Sequence, residues 1–372
     1  MPTEFGPEYV RRLAPYQAGK PISEVAREFG LDEAGIVKLA SNENPLGMPE
    51  SARQAMLAAV ADIGRYPDAN GFELKKAISE KYKVPEDWIT LGNGSNDILE
   101  LAAHAFVQPQ QSIVYSEYSF AVYALATQGV GARAIVVPSV NYGHDLGAMA
   151  RAIDADTRLV FIANPNNPTG TYLPFDEVKR LHAGLPPHVL LVLDAAYAEY
   201  VRRNDYAAGL ELVAESENVV MTRTFSKIHG LANLRLGWLY GPAHLVDALN
   251  RIRGPFNVNG AAIEAGAVAI ADEAHVAAAI AHNDRWLAWT TAELEKLGLT
   301  VTPSVGNFVL IHFPTTKGRT AKEADAFLTS RGLILRSVAA YGLPDALRMT
   351  IGSEEANRLV VAALAEFLAG AA

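Results

Sequence analysis

Between residues 50 and 241 two kinds of apolar segment take turns along the chain, and few folds accept that pattern. Apolar residues at helical spacing predict helices at 50–62, 72–82, 95–106, 121–128 and 174–183. Short β-branched runs lie among them, at 112–115, 133–137, 158–163, 189–193 and 218–222. Several of these, such as Val-Leu-Leu-Val-Leu at 189–193, are apolar throughout, as strands buried on both faces must be. Alternation of this kind with short connections predicts an α/β fold, in which a mostly parallel sheet is covered by helices on both sides.

After Gly254-Pro255 the pattern changes. Two long helical segments, 260–271 and 275–297, precede extended pieces at 307–312, 333–336 and 347–351, and a last helix spans 353–368. Helix and strand no longer alternate, so a smaller α+β domain is expected. A chain of 372 residues also exceeds the usual size of a single core. The expected division is an irregular, proline-bearing N-terminal arm at 1–45, a large domain at 46–255 and a small C-terminal domain at 256–372.

Charge and cysteine content narrow the function. With 32 basic against 41 acidic residues the net charge is −9, which argues against a nucleic-acid surface but allows a local cationic pocket. There is no cysteine, so disulfides and thiolate chemistry are excluded. The N-terminus lacks a basic region followed by an apolar run. The alanine-rich stretch from Ala261 to Ala281 carries Glu264, Asp272, Glu273 and His275, so it reads as packed helix and not as a membrane span. The nine histidines show no metal-ligand spacing, and His104 and His229 read as packing or surface residues. A cytoplasmic enzyme without metal is the expectation.

Three polar motifs stand at the ends of predicted strands, where α/β proteins place their sites, and a fourth is a glycine-rich strand-to-helix turn. In the segment Thr222–Gly237, the hydroxyls of Thr224 and Ser226 accompany Lys227 and Arg235. Hydroxyls with an arginine fork suit a phosphate dianion, and a lysine beside them reaches a carbonyl on the same ligand. Such a lysine must be desolvated or close to positive charge to offer a free amine, which Phe225, Ile228 and Arg235 can arrange. Asp194 ends an apolar strand, with Tyr197 three residues on. A carboxylate there wants a cationic partner, such as a protonated pyridine nitrogen. The turn Asn164-Pro-Asn-Asn-Pro-Thr-Gly170 would aim Asn167 inward, and Leu91-Gly-Asn-Gly-Ser-Asn-Asp97 would offer Gly94, Ser95 and Asn96 to phosphate at a helix start. Each motif also has a plain reading as a solvated loop, a strand-end cap or a rigid turn.

Taken together these motifs resemble the fold-type I pyridoxal-phosphate aminotransferases, and most closely the histidinol-phosphate aminotransferase family. The resemblance covers almost the whole chain. It includes Leu13-Ala-Pro-Tyr-Gln-Ala-Gly19, Lys38-Leu-Ala-Ser-Asn-Glu-Asn-Pro-Leu-Gly47, Arg65-Tyr-Pro-Asp68, Gly254-Pro-Phe-Asn-Val-Asn259, Gly306-Asn-Phe-Val-Leu310 and Tyr341–Gly352. It implies that Lys227 bears pyridoxal 5'-phosphate as a Schiff base and moves the proton. It implies that Asp194 pairs with the ring nitrogen, that Tyr197 and Asn167 meet the ring oxygen, and that Gly94, Ser95, Asn96, Thr224, Ser226 and Arg235 form the phosphate cup. Tyr66 would cross a homodimer interface to the neighbouring phosphate, and Tyr16, Arg336 and Arg348 would contact substrate. Two departures stand out: Ala195 replaces the acidic residue that follows the strand aspartate, and the family's Pro-Thr-Tyr is absent. The stacking ring is then Phe120, with Tyr118 as the alternative.

The reaction so implied is exchange between histidinol phosphate and 2-oxoglutarate. The alternative substrates are phenylalanine and tyrosine, whose carboxylates suit the same arginines. A dehydrogenase built on Gly92-Asn-Gly94 leaves Lys227, Asp194 and Asn167 without a role. A ligand-sensing regulator would need an attached basic domain, for which the arm is too short.

Overall fold

A computed structural model describes residues 5–15 and 19–370 of the chain. Its largest sheet has seven strands: β1 (Ile89–Gly92), β2 (Ser112–Ser116), β3 (Arg133–Val137), β4 (Thr157–Ala163), β5 (Leu190–Asp194), β6 (Val219–Thr224) and β7 (Gly237–Tyr240). They lie in the order β1-β7-β6-β5-β4-β2-β3. Only β7 runs against its neighbours. Along β4 the side chains of Val160 and Ile162 enter one buried cluster, while Leu159 and Phe161 enter another on the opposite face. That period of two is why the strands are apolar without a break: both faces are covered. Helices Glu50–Ala59, Phe72–Tyr82 and Gly260–Ala269 pack together on the first face, and Ser95–Phe106, Ala121–Gly129 and Ala243–Ile252 cover the second.

The second body holds an antiparallel sheet of β8 (Thr300–Thr302), β9 (Phe308–His312), β10 (Arg336–Ser337) and β11 (Ala346–Thr350), in the order β10-β11-β9-β8. Helices Glu273–Lys296, Ala321–Ser330 and Glu354–Gly370 cover it around a core that includes Trp286, Leu294, Ile311, Leu328, Met349 and Leu364. The two bodies divide differently from the pattern in the chain. Ile263 and Ala265 of helix Gly260–Ala269 belong to the first core although they follow residue 255. Val37–Lys38 pairs in parallel with Leu333–Ile334, so part of the N-terminal arm joins the second body.

The parallel direction of β2, β4, β5 and β6 brings their carboxyl ends to one edge. Reversal at β7 returns β1 to the same direction, so its exit turn lies there too. Gly92, Gly237 and Thr224 stand side by side across these strands. Ala163, Asp194 and Thr222 do so one step along the sheet.

Candidate active site

Segments from both bodies and from the arm converge at this edge on one cavity of about 540 Å³. Lys227, on the loop after β6, is partly exposed and lines it. Its Nζ donates to the carbonyl of Ser41 (2.9 Å) and lies 5.7 Å from the centre of the Tyr197 ring. Burial lowers its pKa to about 7, and the positive charges of Arg348 and, less strongly, Arg235 act in the same direction. Phe225 and Ile228 are fully buried, as a desolvated lysine requires. Of the two cations, Arg348, far along the chain, acts on Lys227 more strongly than Arg235.

Asp194 ends β5 inside the protein. Tyr123 Oη donates to one carboxyl oxygen (2.8 Å) and Thr222 Oγ1 to the other (3.3 Å). Burial raises the pKa of Asp194, only partly offset by these bonds and by Lys227. A carboxyl group so placed lacks a full positive partner, and a cationic ring nitrogen supplies one. Tyr197 also lines the cavity. Burial pushes its hydroxyl up to about 12, so it enters the site as a neutral phenol, and its oxygen accepts from Asn42 Nδ2 (2.9 Å).

In the turn after β4 the three asparagines divide their work. Asn164 closes a loop with Leu173 through two 3.0 Å bonds, and Asn166 Nδ2 binds the Tyr118 carbonyl and the Thr169 hydroxyl. Asn167 faces the cavity, where its Oδ1 accepts from Arg348 Nη1 (2.5 Å).

Ser95 and Asn96 begin helix Ser95–Phe106 and line the cavity with Thr224, Ser226 and Arg235. Arg235 Nη1 donates to Ser226 Oγ (3.2 Å) and to the Ala232 carbonyl (2.9 Å). Gly94 has φ +86°, and a β-carbon on it would fall 2.3 Å from Arg235 Nη2, so the guanidinium lies directly against the turn. Free amides at a helix start, two hydroxyls and an arginine fit a phosphate dianion. The cavity thus brings together a buried acid, an anion cup and a deprotonable lysine. These residues fit pyridoxal phosphate.

Phe120 lines the cavity, whereas Tyr118 packs near Leu343 and Tyr341 and against Tyr142 (6.1 Å). Arg336 and Arg348 face each other across β10 and β11 and both line the cavity. Tyr66 is 83% exposed and stacks on Phe256 (4.6 Å), so this chain does not bring it into its own site. Tyr16 lies outside the described residues. Reading the chain missed Tyr123 and Asn42 as partners of Asp194 and Tyr197. Asn42 stood within a quoted motif, but no local feature tied it to residue 197.

This fold and this constellation define a pyridoxal-phosphate-dependent aminotransferase. The family model for aminotransferase class I and II matches residues 34–364. A histidinol-phosphate aminotransferase of Nitrobacter hamburgensis is 55% identical over 358 residues, 96% of each chain. Histidinol-phosphate aminotransferase 1 of Cupriavidus pinatubonensis is 56% identical, covering 97% of this chain and 96% of that one. The solved histidinol-phosphate aminotransferase of Sinorhizobium meliloti, in complex with pyridoxal-5'-phosphate, superposes with a TM-score of 0.90 at 25% identity over 98% of both chains. The chain belongs to the class I and II aminotransferases and, within them, to the histidinol-phosphate aminotransferase family.

Proposed function

We propose that the protein exchanges an amino group between histidinol phosphate and 2-oxoglutarate, in histidine biosynthesis, and that Lys227 carries its chemistry. The observation that carries this reading is the lysine whose pKa falls to about 7 in one cavity with a buried acid and an anion cup. The relatives' shared name favours histidinol phosphate over phenylalanine or tyrosine as donor. When bound, pyridoxal phosphate supplies an aldehyde for covalent attachment and a ring that takes up electrons. Lys227 Nζ would hold the cofactor at rest, then take the proton from the reacting substrate carbon and deliver it to the cofactor's former aldehyde carbon. Asp194 keeps the ring nitrogen protonated, and Tyr123 and Thr222 fix its carboxylate. Tyr197 and Asn167 meet the ring oxygen while Phe120 stacks on the ring. Gly94, Ser95, Asn96, Thr224, Ser226 and Arg235 hold the cofactor phosphate. Arg336 and Arg348, with Tyr16, bind the phosphate end of the donor or a carboxylate of the oxo acid.

The same reading makes the enzyme a homodimer in which Tyr66 reaches the neighbouring cofactor phosphate. Tyr66 and Phe256 stack on each other in the open, and Leu57, Ile63 and Phe72 on the same stretch of chain are exposed as well, apolar surface that supports an interface. No helix among the described residues is long and apolar enough to cross a membrane. We place the enzyme in the cytoplasm because both proposed substrates carry full charges and do not cross a bilayer unaided.

Two measurements test the reading. Borohydride reduction of the yellow protein followed by peptide mapping is expected to fix the cofactor on Lys227, and Lys227→Ala is expected to lower turnover by several powers of ten. Attachment at another lysine overturns the assignment. A donor panel is expected to rank histidinol phosphate above phenylalanine and tyrosine, and the reverse order overturns the substrate.

A further inference from the structure

Three successive residues of the arm each hold a different side chain of the site. The carbonyl of Ala40 accepts from Arg348 Nη2 (2.6 Å), the carbonyl of Ser41 accepts from Lys227 Nζ (2.9 Å), and the side-chain Nδ2 of Asn42 donates to Tyr197 Oη (2.9 Å). The strap is itself fixed to the second body. Thr350 N donates to the Leu39 carbonyl (2.8 Å), Asn42 N donates to Thr350 Oγ1 (2.8 Å), and Asn307 Nδ2 donates to the Asn42 carbonyl (3.0 Å). Asn42 is 1% exposed, and its Oδ1 accepts from Thr350 Oγ1 (3.2 Å). Its amide is therefore held in one orientation, with its N–H toward the phenol.

We propose that Asn42 is a positioning residue that sets Tyr197 as a hydrogen-bond donor to the ring oxygen of the cofactor. The inference rests on the cofactor reading above. A phenol oxygen has one proton and two lone pairs. With one lone pair taken by the Asn42 N–H, the hydroxyl proton turns away from the asparagine, toward the cavity that Tyr197 lines. A donated bond also makes the phenol a better donor in turn. Arm, second body and cofactor are thereby joined through one side chain: Thr350 orients Asn42, and Asn42 orients Tyr197.

The readout is the pH at which the colour of the lysine-bound cofactor changes. A donor at the ring oxygen stabilises the form with more negative charge there, which is the deprotonated form. Weakening the donor raises the pH of the change. Tyr197→Phe removes the donor and sets the full upward shift. Asn42→Ala is expected to shift the change upward by about half to one pH unit, the worth of one hydrogen bond. Thr350→Val frees the amide without emptying the site, and is expected to move the change the same way by less. This second variant serves where Asn42→Ala does not fold. The double variant Asn42→Ala with Tyr197→Phe is expected to shift no further than Tyr197→Phe alone, because the two side chains act through one bond. An unmoved colour change in folded Asn42→Ala or, where that variant does not fold, in Thr350→Val overturns the proposal, as does full additivity in the double variant. Borohydride mapping separates the two levels: attachment on Lys227 with an unmoved titration sinks only the role of Asn42, and attachment elsewhere sinks the cofactor reading.

Discussion

Lys227 is held where its charged form is disfavoured, and that has a consequence for the cofactor-free protein. Its pKa falls from 10.5 to about 7 on folding, chiefly through burial. Between these values the unfolded chain keeps a proton that the folded chain has released, so stability rises with pH. The penalty for burying the ammonium is fully present below pH 7 and disappears as pH approaches 10.5. In urea unfolding of cofactor-free protein, the stability of wild type relative to Lys227→Met is expected to climb between pH 7 and 9.5. Its slope approaches about 1.4 kcal/mol per pH unit, the limit for one proton. A flat difference would show that the lysine titrates as in water. The lysine, the strand-end aspartate and the inward asparagine were legible in the chain because each announces itself locally: a charged or amide group at the end of an apolar run. Tyr123 and Asn42 were not, since they meet Asp194 and Tyr197 across 71 and 155 residues. Such partnerships depend on strand order, which no local pattern encodes.

Elements were legible in proportion to how strongly they repeat. Five strands of the large sheet appear as short β-branched runs, but β1 and β7 are only four residues long, each with a glycine at one end, and neither was assigned a run of its own. Helix Ala321–Ser330 was also overlooked, although Thr320 and Glu323 close a reciprocal capping box at its start. In the small sheet, β9 and β11 fall on the expected extended pieces at 307–312 and 347–351 and β10 at the end of the piece at 333–336, whereas β8, with only three residues, shows no alternation and went unread. The glycine that opens β7 matters for the site. A β-carbon there would sit 2.5 Å from the Ser95 amide nitrogen and 2.7 Å from the Gly94 carbonyl carbon, both backbone and unable to move aside cheaply. Gly237→Ala is expected to push the helix start out of place and weaken cofactor binding by roughly tenfold or more, the effect of overpacking by one methyl group. Absorbance titration of the cofactor-free variant measures this, and an unchanged affinity would show that Ser95 and Asn96 do not bear on the phosphate.

At the scale of the whole molecule, the cavity is a joint product of two bodies and the arm, and the chain's pattern showed the two bodies but not their seam. Helix Gly260–Ala269 follows the change of pattern, yet packs on Glu50–Ala59 and Phe72–Tyr82, because its apolar side chains complete the first core. That arrangement stacks Phe256 on Tyr66, which stands 83% exposed outside its own cavity. A tyrosine displayed in this way serves the proposed phosphate cup only if a second copy supplies the cup. Mixing two defective subunits decides the matter. Under the proposed dimer, Tyr66→Ala protein alone is expected to bind cofactor weakly and turn over slowly, and Lys227→Ala protein alone is expected to be inactive. In a mixed dimer the subunit that keeps Lys227 receives an intact Tyr66 from its neighbour, so one complete site forms. Unfolding and refolding the two variants together is therefore expected to yield activity well above the sum of the separate preparations, reaching about a quarter of wild type when random pairing makes half the dimers mixed and each has one working site. If Tyr66 served its own chain, every site with a lysine would lack its tyrosine, and mixing would restore nothing.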